Sequence, residues 1–149
     1  MTRTLPDARG ALVTAIEHDT AGMDRRQHVA VLDALIAWAT ARPQDLVFRS
    51  SDGVGPVISF EHKKRNVVFW AIRLTRGVGA RLEIYPPTGR ALADAQRLMV
   101  RETINAHTRD VLAEGDRLRI SFGALKNANA RAAVLDMLNL LLAEPAPVS

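Results

Sequence analysis

The chain has 149 residues, of which 48% are apolar and 24% are charged, and its net charge is +4; these values are typical of one globular domain and exclude a disordered chain. No cysteine is present, which excludes a disulfide framework, a thiolate metal site and a cysteine nucleophile, and favours a reducing compartment. Residues 1–19 contain no apolar stretch of the signal-peptide type, and the strongly apolar run Val67–Ile72 is too short to span a membrane. We therefore expect a single cytoplasmic domain over residues 1–149, with no membrane contact.

Two helices are predicted in an N-terminal part that covers about 7–42. Leu12 and Ile16 lie four residues apart in the first helix, which places them on one face. Asp24 is suited to cap the second helix, which ends before Pro43. The second helix has a wide apolar face that we expect to be mostly buried, formed by Val31, Leu32, Leu35, Ile36, Trp38 and Ala39.

From Leu46 the apolar spacing becomes alternating, which predicts a sheet in the part of the chain from about 45 to 144. Four short strands joined by glycine-containing or charged turns predict an antiparallel meander over 46–49, 57–61, 67–74 and 81–85. Alternation assigns to a core face the side chains of Leu46, Phe48, Ile58, Phe60, Val68, Trp70, Ile72, Leu82 and Ile84. The opposite face is mixed and carries Val47, Arg49, Val57, Ser59, Val67, Phe69, Ala71, Arg73, Arg81, Glu83 and Tyr85.

The rest of the sequence predicts a long helix over about 88–112, a fifth strand over 117–122 and a closing helix. Asn127 or Asn129 caps the closing helix, and its apolar end, Leu138–Leu142, is expected to pack against the sheet or a second copy of the chain. The predicted class is α+β. It has two N-terminal helices, an antiparallel sheet of about five strands, and helices on at least one sheet face.

Positive charge is concentrated in one part of the chain. Residues 42–101 contain eleven Lys or Arg and five Asp or Glu, a net charge of +6, whereas the rest carries −2. Because a basic segment attracts anions, we predict a non-enzymatic interaction domain that binds nucleic acid or an acidic protein; a merely solvated basic surface is the alternative. Aromatic residues for base stacking are scarce, so backbone contacts should dominate. The predicted binding residues are Lys63, Lys64, Arg65, Arg73, Arg76, Arg81, Arg90, Arg97 and Arg101.

The sequence also allows two other functions. A structural or regulatory protein would act through a homodimer interface on the C-terminal helix, at Leu138–Leu142. An enzyme is the second, because Asp52 with Glu61-His62-Lys63 resembles the paired acids and lysine of PD-(D/E)xK nucleases, which hold Mg²⁺ and activate water. However, Asp52 and Glu61 flank one predicted strand, and nine extended residues span roughly 30 Å. We therefore do not expect these two carboxylates to share a metal ion.

No metal site or cofactor is predicted. Two histidines that bind one metal ion from the same helix lie three or four residues apart. No two of the four histidines in the chain have that spacing; they are His18, His28, His62 and His107. The Gly-Val-Gly segments at 53–55 and 77–79 fit hairpin turns, because neither completes a nucleotide-binding fingerprint between a strand and a helix.

Overall fold

A computed structural model describes residues 4–19, 23–49, 57–63, 67–75, 79–85, 102, 111–114 and 117–143. Helices α1 (Leu5–Asp19) and α2 (Met23–Thr40) precede the sheet. The strands are β1 (Leu46–Arg49), β2 (Val57–His62), β3 (Val67–Thr75), β4 (Gly79–Ile84), β5 (Val111–Glu114) and β6 (Arg117–Ser121). Helices α3 (Phe122–Leu125) and α4 (Ala128–Ala143) follow the sheet.

The strands form one antiparallel sheet in the order β1-β2-β3-β4-β6-β5. The predicted α+β class, with two N-terminal helices, a four-strand meander and C-terminal helices, is confirmed. The predicted end of the long helix near Leu112 is wrong, since Val111–Glu114 form β5. Only Gly115 and Asp116 separate β5 from β6, and hairpin pairing across so short a connection outweighs a helical apolar period. The rest of that predicted helix lies outside the described residues, apart from the helical Glu102.

The core lies between the helices and one face of the sheet. Helix α1 buries Ala8, Leu12 and Ile16 and contacts β2, β3 and β4. These side chains belong to one cluster with residues of the sheet, of α2 and of α4. Fully burying a large apolar side chain contributes about 1.5–3 kcal/mol, so this cluster fixes the helices on the sheet. The sheet contributes Ile58, Phe60, Phe69, Trp70, Ile72, Leu82 and Ile84 to it.

Strand β3 contains a bulge that changes which of its side chains face the core. Phe60 pairs with Trp70, whereas Glu61 pairs with Val68, so Phe69 is the extra residue. Phe69 is fully buried and stacks on Trp38 of α2, with ring centroids 6.0 Å apart and an interplanar angle of 18°. The predicted placement of Val68 on the core face and Phe69 on the mixed face is therefore wrong, because an extra residue reverses the alternation beyond it.

Candidate nucleic-acid interface

Six charged side chains alternate with core residues and so lie on the face of the sheet opposite the core. We call this surface the outer face and define it by Arg49, Glu61, Arg73, Arg81, Glu83 and Arg119. The strand register places Arg73 directly opposite Arg81, and Glu83 directly opposite Arg119. Neighbouring β3, β4 and β6 thus bring together residues from distant parts of the sequence.

Glu83 lies at the centre of this arrangement, between two arginines. Its side chain is only 2% exposed, and a buried carboxylate needs a compensating cation. Arg73 Nε lies 2.6 Å from Glu83 Oε1, and Arg119 Nε lies 3.5 Å from Glu83 Oε2. The Arg73 side chain is nevertheless 47% exposed. Arg73 is therefore ion-paired with a buried carboxylate while about half of its side chain stays open to solvent.

Among the described residues, the hydrogen-bond partner of the Arg81 side chain is a hydroxyl group and not a carboxylate. Its Nη2 donates a hydrogen bond to Thr75 Oγ1 at 3.3 Å, and its buried Nε has no hydrogen-bond partner there. Like charges at directly opposite positions destabilise a sheet. The ion pair with Glu83 offsets part of this repulsion at Arg73, and an anion bound between the two arginines would offset more of it.

A looser ion pair lies nearer the β1 edge. Arg49 Nε is 3.5 Å from Glu61 Oε2, and the two side chains are 54% and 21% exposed. An exposed pair of this kind contributes only about 0–1 kcal/mol. With its four arginines and two glutamates, the outer face carries a net charge of +2.

The structure describes three of the predicted binding residues: Lys63, Arg73 and Arg81. Arg73 and Arg81 meet on the outer face, but Lys63 does not join them. Lys63 follows the end of β2 and Arg73 pairs with its first residue, Val57, so about 20 Å of strand separates them. Lys63 Nζ donates a hydrogen bond to the Pro43 carbonyl at 2.7 Å. The other predicted binding residues lie outside the described residues: Lys64, Arg65, Arg76, Arg90, Arg97 and Arg101.

Sequence reasoning did not select Arg119 or Glu83 as members of the site. Arg119 alternates with Leu118 and Ile120, so its strand face was predictable from the sequence. Its position beside Glu83 depends on the pairing of β4 with β6. No local pattern encodes that pairing, because the two strands are far apart in the chain.

The described residues supply no further metal ligand to the nuclease-like motif of Asp52, Glu61 and Lys63. Asp52 lies outside them, Glu61 pairs with Arg49, and Lys63 contacts Pro43. Across the described ranges, no group of three or more His, Asp or Glu side chains is arranged to hold a metal ion. Glu61 and Lys63 therefore take part in contacts along the β1–β2 edge.

At the apolar end of α4, the apolar side chains that the structure describes pack mostly against the core of this chain. Met137 is 2% exposed and Leu138 is fully buried, both in the core cluster. Leu142 is partly buried and packs against the same cluster. A homodimer interface on this helix would have to use other side chains than Leu138.

A second charged feature lies between α1 and α2. It is an open cavity of about 360 Å³ lined by Val13, Glu17, Arg25, Arg26 and Val29. Its arginines lie on helices that pack on the core side of the sheet, so it is separate from the outer face.

Comparison with known proteins assigns no family, since no family profile, curated protein or solved structure matches this chain. Among the described helices, none is both long enough and apolar enough to cross a bilayer. A functional assignment must therefore be argued from the side chains themselves, and the outer face has the most distinctive chemistry among those described.

Proposed function

We propose that this chain is a non-enzymatic interaction domain that binds nucleic acid through the outer face of its sheet. The observation that supports this most is the directly opposed Arg73–Arg81 pair, with Arg73 about half exposed. Each strand of a DNA duplex carries one negative charge per about 3.4 Å of helix axis. Two neighbouring guanidinium groups on a rigid sheet suit such closely spaced charges, whatever the base sequence.

The chemistry of the outer face favours contacts to phosphate over contacts to bases. Arginine presents a planar set of N–H donors that matches phosphate oxygens, and hydroxyl groups such as that of Thr75 are common additional donors. Phosphate contacts fix the position of a protein on nucleic acid but carry no sequence information. We therefore expect low sequence specificity and strong salt dependence.

Fluorescence anisotropy with labelled single-stranded DNA, duplex DNA and RNA tests this proposal. Binding should weaken steeply between about 50 and 200 mM salt because bound counterions are released. Arg73→Glu and Arg81→Glu should each weaken binding at least about tenfold and reduce the salt slope by about one per lost phosphate contact. Arg26→Glu is the matched control, since it makes the same charge change at the cavity between α1 and α2.

Three results would contradict the proposal. Failure to bind any of the three nucleic acids at low salt would exclude it. Binding to poly-glutamate without binding to nucleic acid would assign the surface to an acidic protein partner instead. A loss of binding in Arg26→Glu as large as in Arg73→Glu would show that the outer face is not the interface.

A further inference from the structure

We propose that Glu83 is a positioning residue, which holds the guanidinium of Arg73 in the orientation that receives a backbone phosphate. This inference rests on the proposed function, and it concerns how the outer face achieves binding. It also explains why a carboxylate lies at the centre of a surface that is otherwise suited to anions.

The first argument is geometric. Glu83 comes from β4, with a rigid strand on each side, and its carboxylate is 2% exposed. Its Oε1 is 2.6 Å from Arg73 Nε, while the Arg73 side chain is 47% exposed. A guanidinium is planar and its five N–H groups have a fixed geometry. So short an ion pair limits where the Arg73 guanidinium can lie, and it therefore limits the positions of the terminal N–H groups as well.

The second argument concerns entropy. An exposed arginine has several flexible torsions and loses that freedom when it is immobilised by a ligand. Arg73 has already lost part of this freedom in its ion pair with Glu83, so less is lost on binding. The effect is the usual one of a group held in advance in its bound conformation.

The third argument concerns charge. Arg119 Nε lies 3.5 Å from Glu83 Oε2, so one carboxylate is bracketed by two arginines and the triad keeps a net charge of +1. Glu83 therefore orients Arg73 without making this part of the outer face negative. An isolated carboxylate at the same place would repel phosphate.

A simple long-range electrostatic account makes the opposite prediction for Glu83. If only net charge matters, Glu83→Gln should strengthen binding of a polyanion because it removes one negative charge. If Glu83 positions Arg73, the same substitution should weaken binding. Glu61 offers a matched comparison, since it lies on the same face but pairs with the more exposed Arg49 at 3.5 Å.

The experiment measures the Kd of a labelled single-stranded oligonucleotide over a series of salt concentrations. The proteins are the unmodified chain, Glu83→Gln, Glu61→Gln, Arg73→Ala and the double variant Arg73→Ala/Glu83→Gln. We expect Glu83→Gln to weaken binding about three- to tenfold, as estimated for the loss of one immobilised side chain. Glu61→Gln should bind as tightly as the unmodified chain or more tightly. In the Arg73→Ala background, Glu83→Gln should cause no further weakening, which a merely structural role would not predict.

The outcomes separate this inference from the proposed function. If Glu83→Gln binds more tightly, as expected from charge alone, the inference is wrong but nucleic-acid binding stands. If the unmodified chain binds no nucleic acid, both proposals fail. Thermal unfolding followed by circular dichroism checks that each variant is folded. Should Glu83→Gln fail to fold, Arg73→Lys replaces it, because lysine keeps the charge but lacks the planar donor set; binding equal to the unmodified chain would then overturn the inference.

Discussion

Asn139 connects the end of α2 to α4 by accepting two hydrogen bonds on one oxygen. Its Oδ1 accepts from Trp38 Nε1 at 3.0 Å and from Arg42 Nη2 at 2.6 Å. Arg42 also donates to the Trp38 carbonyl at 2.8 Å and lies over the indole ring, 4.4 Å from its centroid. Since Trp38 is 7% exposed, its N–H cannot readily exchange this acceptor for water.

Asn139→Ala should therefore destabilise the fold. The substitution removes the acceptor of the indole N–H, and we expect the free energy of unfolding to fall by about 1–3 kcal/mol. Urea denaturation measures the change. Asp136→Ala, at an exposed position of α4, is the control for the effect of alanine on the helix. An equal effect of both substitutions would show that the Asn139 hydrogen bonds contribute no net stability.

His28 lies on α2 against the ring of Phe122, with centroids 6.1 Å apart and the rings nearly perpendicular. Burial lowers the pKa of His28 from its ordinary value of 6.5, and Lys126 lowers it further, while Asp24 raises it. The folded chain thus favours the neutral imidazole. Because the unfolded chain binds the proton more readily, the stability that neutral His28 confers is fully present above about pH 6.5 and is lost as the pH falls below it.

His28→Gln should reduce the loss of stability on acidification. A glutamine at this position cannot take up a proton, so unfolding free energies measured at about pH 7.5 and about pH 5.5 should differ less than in the unmodified chain. The difference should be small, because His28 is only partly buried and solvent screens its charge. Lys126→Met should give a smaller change in the same direction, because Lys126 is a lesser cause of the lowered pKa. An unchanged pH dependence in His28→Gln would contradict this account.

At the scale of the elements, the bulge in β3 determines which side chain of β3 packs against Trp38 of α2 in the core. Phe69→Ala should lower the free energy of unfolding by about 3–5 kcal/mol, because it leaves a cavity beside Trp38. Val68→Ala should cost only about 1 kcal/mol, since Val68 is half-buried opposite Glu61. Chemical denaturation of both variants gives the comparison. Simple alternation predicts the reverse order, and observing that order would exclude the bulge.

The sequence was sufficient for the elements whose signals are local. Alternating runs and intervening turns predicted the meander β1–β4, and alternation alone placed Arg73 and Arg81 on the same face. The closing hairpin was not predictable in this way, because residues near Leu112 continue a helical apolar period and their pairing with β6 is a tertiary contact. The Glu83 triad was missed for the same reason, since it requires β6 to lie beside β4.

At the scale of the whole molecule, core and charge are separated by the sheet. The apolar residues of α1, α2 and α4 belong to one cluster with the core face, and the arginine-rich residues lie on the opposite face. Packing helices on one face of a sheet is a common way to bury that face.

The opposed arginines of β3 and β4 have a consequence for the stability of the sheet. Replacing Arg81 with threonine or valine would relieve the repulsion and introduce a better strand former. On stability grounds alone, either residue would therefore suit this strand position better than arginine. If the outer face binds phosphate as proposed, its opposed arginines give up folding free energy for charge, a trade-off expected at a functional site.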